Sequence, residues 1–76
     1  MAAISGVYRA TVVNATDPNR KRRLLVQVAS AQNAGPMWAE ACVPYRSRST
    51  PPDRSTVWIM FEEGDVTRPV WIGTHP

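Results

Sequence analysis

The sequence predicts an all-β fold in which five short strands close into a small barrel. β-Branched and aromatic residues are concentrated in five short runs, each bounded by turn-forming residues. No stretch repeats apolar residues at the spacing of an amphipathic helix over three turns, and 7 prolines interrupt the candidates. Closing short strands into a barrel removes the exposed edges that an open sheet would leave.

The first two predicted strands flank a proline turn. The first strand is Gly6–Ala15, and it ends at the turn Thr16–Asn19. Pro18 presets the backbone for the second position of that turn, and the Asp17 side chain can cap it. The second strand is Arg23–Ala29, in which large apolar residues alternate with others. This pattern is typical of a strand with one buried face.

Longer loops precede the third and the fourth strands, and a tight turn precedes the fifth. The third strand is Met37–Val43 and the fourth is Thr56–Phe61. A tight turn, Glu62–Asp65, comes next, in which Gly64 can adopt the positive φ angle that other residues avoid. The fifth strand is Arg68–Gly73, with a proline near its entrance. In the turn before this strand, Gly64 and Asp65 are the predicted turn-forming residues.

These elements predict a small five-stranded OB-type closed barrel. The whole chain, residues 1–76, fits one domain whose core covers about residues 5–74, with no linker and no internal repeat. A chain of this length buries only about 60% of its unfolded surface. Association with other chains is therefore the expected source of additional stability.

The predicted strands carry large apolar residues on both faces. In the fourth strand, Val57, Ile59 and Phe61 alternate with Trp58 and Met60. A barrel this small has room for one of the two sets, and we assign the first set to the core. Each large apolar side chain left in water forgoes about 1.5–3 kcal/mol. A contiguous outer set would therefore mark an interaction surface.

Dividing the residues of the other strands in the same way, into a core set and an outer set, defines the predicted interface. In the fifth strand, Val70 and Ile72 are assigned to the core, which leaves Trp71 outside. Tryptophan often carries interface energy. The predicted oligomer or hub interface consists of Leu25, Trp38, Trp58, Met60 and Trp71. The alternative for one or two of them is that they cap a barrel end or lie under the Pro44–Ser55 loop.

The densest charge cluster lies in the first connection, at Arg20, Lys21, Arg22 and Arg23. It could grip phosphate, or be a solvated turn, or meet acidic groups on a partner chain. A nucleic-acid site also needs stacking aromatics on the second and third strands, where only Trp38 qualifies. The net charge of +3 is mild. We therefore prefer a solvated or partner-facing turn over a nucleic-acid site.

No enzyme, metal or cofactor chemistry is indicated. The single cysteine, Cys42, and the single histidine, His75, cannot complete a zinc site or support a nucleophile–base pair. Glu62, Glu63 and Asp65 lack the spacing of a calcium loop and are interpreted as a polar hairpin tip. No segment approaches the length of a membrane span, and the first residues do not resemble a signal peptide.

In its ordered motifs, the chain resembles the OB domain of phage baseplate assembly protein V and tail-spike proteins of contractile tails, including type VI secretion spikes. The matching residues are Gly6-Val7, Asp17-Pro18, Arg23–Val28, Trp38-Ala39 and above all Val57–Gly73. The last segment preserves the order and spacing of two strands and their Phe-Glu-x-Gly-Asp turn. The resemblance covers nearly the whole chain.

The resemblance implies a structural protein of a phage tail or baseplate. It implies a homotrimeric ring around the tail axis, at the junction of hub and spike, located in the virion and made in the host cytoplasm. The expected partners are further copies of the chain and other tail proteins, namely hub, spike or tape measure. Two alternatives stay open: an OB module that binds single-stranded nucleic acid, and a barrel-type adaptor of a cellular complex.

Overall fold

The structure is a computed structural model that describes residues 6–29, 35–44 and 49–75. It contains five strands, and a one-turn 3₁₀ helix, Glu62–Gly64, follows the fourth. All five predicted strands are confirmed to within two residues at each end. The strands are β1 Tyr8–Asn14, β2 Leu24–Val28, β3 Met37–Ala41, β4 Thr56–Phe61 and β5 Pro69–Thr74.

The strands form a closed barrel in the order β1-β2-β3-β5-β4, and β4 pairs again with β1. Four of the pairings are antiparallel. The fifth pairing, between β3 and β5, is parallel and sets Glu40 opposite Val70 and Ala41 opposite Trp71. The predicted all-β class with a closed five-stranded barrel is therefore confirmed.

The directions of the strands determine at which end of the barrel each connection lies. Strands β1, β3 and β5 run one way and β2 and β4 the other. The β1–β2 and β3–β4 connections therefore meet at one end, and the β2–β3 and β4–β5 connections at the opposite end. Three hydrogen bonds tie the β3–β4 connection to the end of β1 and the residue that follows it. Ala15 N–H donates to Asp53 Oδ1 at 2.7 Å. Arg54 N–H donates to the Val12 carbonyl at 2.7 Å, and Val12 N–H donates to the Ser55 carbonyl at 2.9 Å.

The core consists of the alternate, inward-facing residues of the strands. One set of rings packs edge to face, since the Tyr8 and Phe61 centroids lie 5.5 Å apart at an interplanar angle of 70°. The alternation assigned from the sequence holds in β2 and β4. The buried hydrophobic residues are Ala10, Val12, Leu24, Val26, Val28, Ala39, Val57, Ile59, Phe61 and Trp71.

The assignment for the fifth strand was wrong. Trp71 lies in the core and is only 3% exposed, whereas Ile72, assigned to the core, is 36% exposed. Val70, also assigned to the core, lies on the outer face opposite Met60. The reason is the pairing: Trp71 stands opposite Ile59, and directly paired residues of antiparallel strands face the same side. Trp71 therefore belongs to the inward set of β4 and β5. It does not belong to the exposed surface predicted from the sequence.

Candidate interaction surface

An apolar patch covers the outside of β4 and β5. Met60 is 40% exposed and stands directly opposite Val70 across the two strands. Trp58, also on the outer face of β4, and Ile72, on the outer face of β5, complete the set. We call these four residues the outer patch. It contains two of the residues predicted as interface, Trp58 and Met60.

Trp58 is held in place by two neighbouring side chains. The Arg9 guanidinium lies 5.1 Å from the centroid of the Trp58 ring, as expected from the direct pairing of the two residues across β1 and β4. The His75 ring lies on another side, with its centroid 5.4 Å from that of the indole. Trp58 is therefore a fixed, partly exposed ring rather than a freely rotating one.

Leu25 and Trp38 form a second, separate apolar pair. They stand directly opposite each other on the outer faces of β2 and β3, and both are partly exposed. The Arg23 guanidinium lies 5.1 Å from the centroid of the Trp38 ring. In the barrel, β5 separates β3 from β4 on one side, and β1 separates β2 from β4 on the other. The predicted set thus does not form one contiguous surface: it divides into this pair, part of the outer patch, and the buried Trp71.

Asp17 organises the β1–β2 connection. Its side chain is 2% exposed and accepts hydrogen bonds from the backbone N–H groups of Asn19 at 2.8 Å, Lys21 at 3.0 Å and Arg23 at 3.2 Å. It also pairs with the guanidinium of Arg23, whose Nε and Nη2 each lie 3.0 Å from a carboxylate oxygen. The Arg23 hydrogen bonds, above all, lower the pKa of Asp17 well below its usual range.

The same ion pair binds the Arg23 guanidinium within the β1–β2 connection. Its hydrogen bonds to Asp17 raise the pKa of the guanidinium above its ordinary value. Arg23 was predicted as part of a basic contact surface, but the structure commits it to Asp17 and Trp38. Arg20 and Lys21 are exposed and make no ion pair within the described residues. They are the side chains that the loop presents outward.

Arg22 links the loop to the core. Its backbone carbonyl accepts a 3.0 Å hydrogen bond from the indole Nε1–H of Trp71. The bond joins residues 49 positions apart in the chain. A buried tryptophan needs such an acceptor for its N–H group. The β1–β2 connection is therefore fixed to the core through the indole of Trp71, the residue that we predicted to lie outside.

The β4–β5 connection is a hydrogen-bonded turn that is longer than predicted. Gly64 has a φ angle of 76°, in the left-handed region that favours glycine. The Asp65 carboxylate then accepts hydrogen bonds from the backbone N–H of Thr67 at 2.9 Å and from its hydroxyl at 2.7 Å. The Thr67 side-chain bond is the main reason why the pKa of Asp65 is lowered. The turn therefore extends beyond Asp65, to Arg68.

The charges of this turn are largely displayed to solvent. Arg68 pairs with Glu62 at 2.7 Å, and both side chains are about half exposed. The Glu63 side chain is 83% exposed, and its nearest cation is Arg68 at 3.8 Å. Exposed pairs of this kind contribute little to stability. The turn thus presents a net negative surface.

A polar cleft of about 190 Å³ lies between the β2–β3 face and this turn. In OB barrels, this region holds oligonucleotides or oligosaccharides. Here, its two arginines are paired with carboxylates of the same chain, Arg23 with Asp17 and Arg68 with Glu62. Glu40 adds a further negative charge to the wall. The cleft therefore offers poor electrostatics for a phosphate backbone.

Among residues 6–29, 35–44 and 49–75, no three side chains of the His, Cys, Asp and Glu types come together as metal ligands. The same part of the chain contains no helix of the length and apolarity needed to cross a membrane.

These features define a class: a small OB-type barrel with an apolar outer patch and ends of opposite charge. The chain belongs to the family of type VI secretion system/phage-baseplate injector OB domains, whose model matches residues 8–75. No curated protein matches the chain significantly. The membership confirms both the resemblance found in the sequence and the OB fold. The family is one of structural baseplate and spike domains and not a known enzyme family, and it indicates the tail or baseplate as the location.

Proposed function

We propose that this chain is a structural component of a phage tail or related injection machine and assembles as a ring, a homotrimer, around the tail axis where hub and spike meet. The family supports the structural role at the baseplate. The observation that carries the ring is the outer patch. Made of Trp58, Met60, Val70 and Ile72, it leaves large apolar side chains at the surface of an isolated barrel.

Burial of this patch would yield a substantial free energy. A large apolar side chain gains about 1.5–3 kcal/mol when fully buried, and a partly exposed one gains the corresponding fraction. A barrel of 76 residues is small enough for such a gain to matter. Because binding to the folded state alone stabilises that state by mass action, assembly would support the fold as well as the machine.

The location of the apolar side chains favours a ring over a two-fold dimer. A two-fold interface uses the same surface on both subunits, whereas a head-to-tail interface uses two different ones. The outer patch, on β4 and β5, and the Leu25–Trp38 pair, on β2 and β3, are two different sets of residues on adjoining faces of the barrel. Head-to-tail contacts that close on themselves produce a cyclic ring.

The first prediction tests this ring. The purified chain is expected to elute as a trimer in gel filtration with light scattering. The variant Met60→Lys/Ile72→Lys, which places two charges in the outer patch, is expected to weaken assembly at least about tenfold, since each buried charge would lack a partner. Both residues are exposed, so the barrel should stay folded.

The control is Thr16→Lys, which adds a charge to an exposed residue of the β1–β2 connection, outside the outer patch. It should assemble like the unmodified chain. A wild-type chain that stays monomeric at micromolar concentration, and that binds no tail protein encoded beside it, would overturn the proposal.

A further inference from the structure

The barrel is electrostatically polar along its length. Its first end, formed by the β1–β2 and β3–β4 connections, carries five basic and two acidic side chains among the described residues. Its second end, formed by the β2–β3 and β4–β5 connections, carries three acidic side chains and one basic one among the described residues, all of them in the β4–β5 turn. The formal charges are therefore +3 and −2. We call these the basic end and the acidic end.

The side chains displayed at the basic end are Arg20, Lys21 and Arg54. All three are exposed and make no ion pair within the described residues. Their loops are fixed, because Asp17 binds the backbone of the β1–β2 connection and Arg54 donates its N–H to β1. A fixed loop loses little conformational entropy when it meets a partner.

Both ends contain non-glycine residues with a positive φ angle. The non-glycine residues with positive φ are Arg20 at 56°, Arg22 at 59°, Arg54 at 72° and Glu63 at 54°. Such angles are unfavourable for residues with a side chain, and glycine would adopt them readily. Charged residues stand at these four positions instead. Strained positions that persist in a fold are frequently functional.

We propose that the basic end of one copy docks on the acidic end of the next copy, with Arg20, Lys21 and Arg54 facing Glu62 and Glu63. This inference rests on the proposed function and names the surfaces through which the ring forms. The partner is a second copy because the chain itself carries the complementary surface. Opposite charges orient two molecules and accelerate their encounter.

The apolar residues fit the same arrangement. Met60 precedes the acidic turn by one residue of β4, and Leu25 follows the β1–β2 connection at the start of β2. Each charged end thus has an apolar side chain beside it, Leu25 at the basic end and Met60 at the acidic end. In a head-to-tail contact, the apolar side chains supply affinity and the charges supply direction.

Charge reversal tests the inference on the full chain. Arg20→Glu/Lys21→Glu reverses the basic end, and Glu62→Lys/Glu63→Lys reverses the acidic end while keeping Asp65 for the turn. Each variant alone is expected to lose assembly at least about tenfold in sedimentation or light scattering at low salt. An equimolar mixture of the two is expected to associate into pairs, because an acidic end of one variant meets a basic end of the other, but it should not close a ring of three, in which two copies of one variant would have to meet.

Two controls separate local from general effects of charge. Gln27→Glu adds a carboxylate to the outer face of β2, outside both charged ends and the outer patch, and should leave assembly unchanged. The fourfold variant that carries both reversals keeps the net charge of +3 and should assemble with itself. Raising the salt concentration should weaken assembly of the unmodified chain, since exposed charges are screened.

The outcomes are distinguishable. If the chain forms a ring that neither reversal nor salt affects, the head-to-tail contact is wrong and the proposed ring stands. If the chain is a monomer, the ring itself fails. If Arg20→Glu/Lys21→Glu leaves assembly intact but abolishes salt-dependent binding of a single-stranded dT oligonucleotide, the basic end serves nucleic acid, which overturns the inference.

Discussion

The Trp71→Ala variant is expected to lose about 3–5 kcal/mol of unfolding free energy, the range for removal of a buried aromatic side chain from a core. Native domains are stable by only about 5–15 kcal/mol, and small ones lie toward the low end. Much of the isolated variant should therefore be unfolded. Circular dichroism during urea titration measures the effect directly.

Trp71→Phe separates packing from hydrogen bonding. The phenyl ring keeps most of the apolar volume but cannot donate to the Arg22 carbonyl. A carbonyl left without its partner costs about 1–3 kcal/mol where it is buried. The matched control is Trp58→Phe on the outer face, which should cost markedly less. Equal losses for the two phenylalanine variants would contradict the assignment of Trp71 to the core.

The Asp17→Asn variant is expected to destabilise the barrel at neutral pH more than neutralisation of any exposed carboxylate. An amide retains one acceptor oxygen but cannot form the ion pair with Arg23, and its NH₂ group faces the N–H donors that the carboxylate accepts. Thermal unfolding at pH 7 measures the loss. Glu63→Gln, at the exposed tip of the opposite turn, is the control and should be near neutral.

The same residue predicts a specific pH dependence. Because the pKa of Asp17 is lower in the folded state than its unfolded value of about 3.9, its contribution is fully present above that value. The contribution is lost progressively as the pH falls below about 4 toward the folded pKa. The Asp17→Asn variant should lack this part of the acid dependence. An acid limb identical to that of the unmodified chain would rule out the ion pair as its source.

The strands were predictable because their alternation and turn residues are local signals. Val57, Ile59 and Phe61 alternate with other residues, and the core contains all three. In β5, apolar residues occupy consecutive positions, so alternation cannot say which face is inward. Pairing with Ile59 decides it, and pairing is a property of the assembled sheet.

The two ends of the barrel were partly predictable. The basic and acidic connections are evident in the sequence, and the strand order implies that they lie at opposite ends. The commitment of Arg23 to Asp17 was not predictable, because it requires left-handed backbone at Arg20 and Arg22. A sequence without glycine at those positions gives no signal for such a path.

Closure of the barrel also limits how this protein can grow into larger structures. Each strand has hydrogen-bonded neighbours on both sides, so a further copy cannot extend the sheet by adding a strand of its own. A partner must then be bound through side chains, and the positions of those side chains on the barrel determine the geometry of the contact. Closure thereby removes the open strand edges through which β-proteins stack into cross-β fibrils.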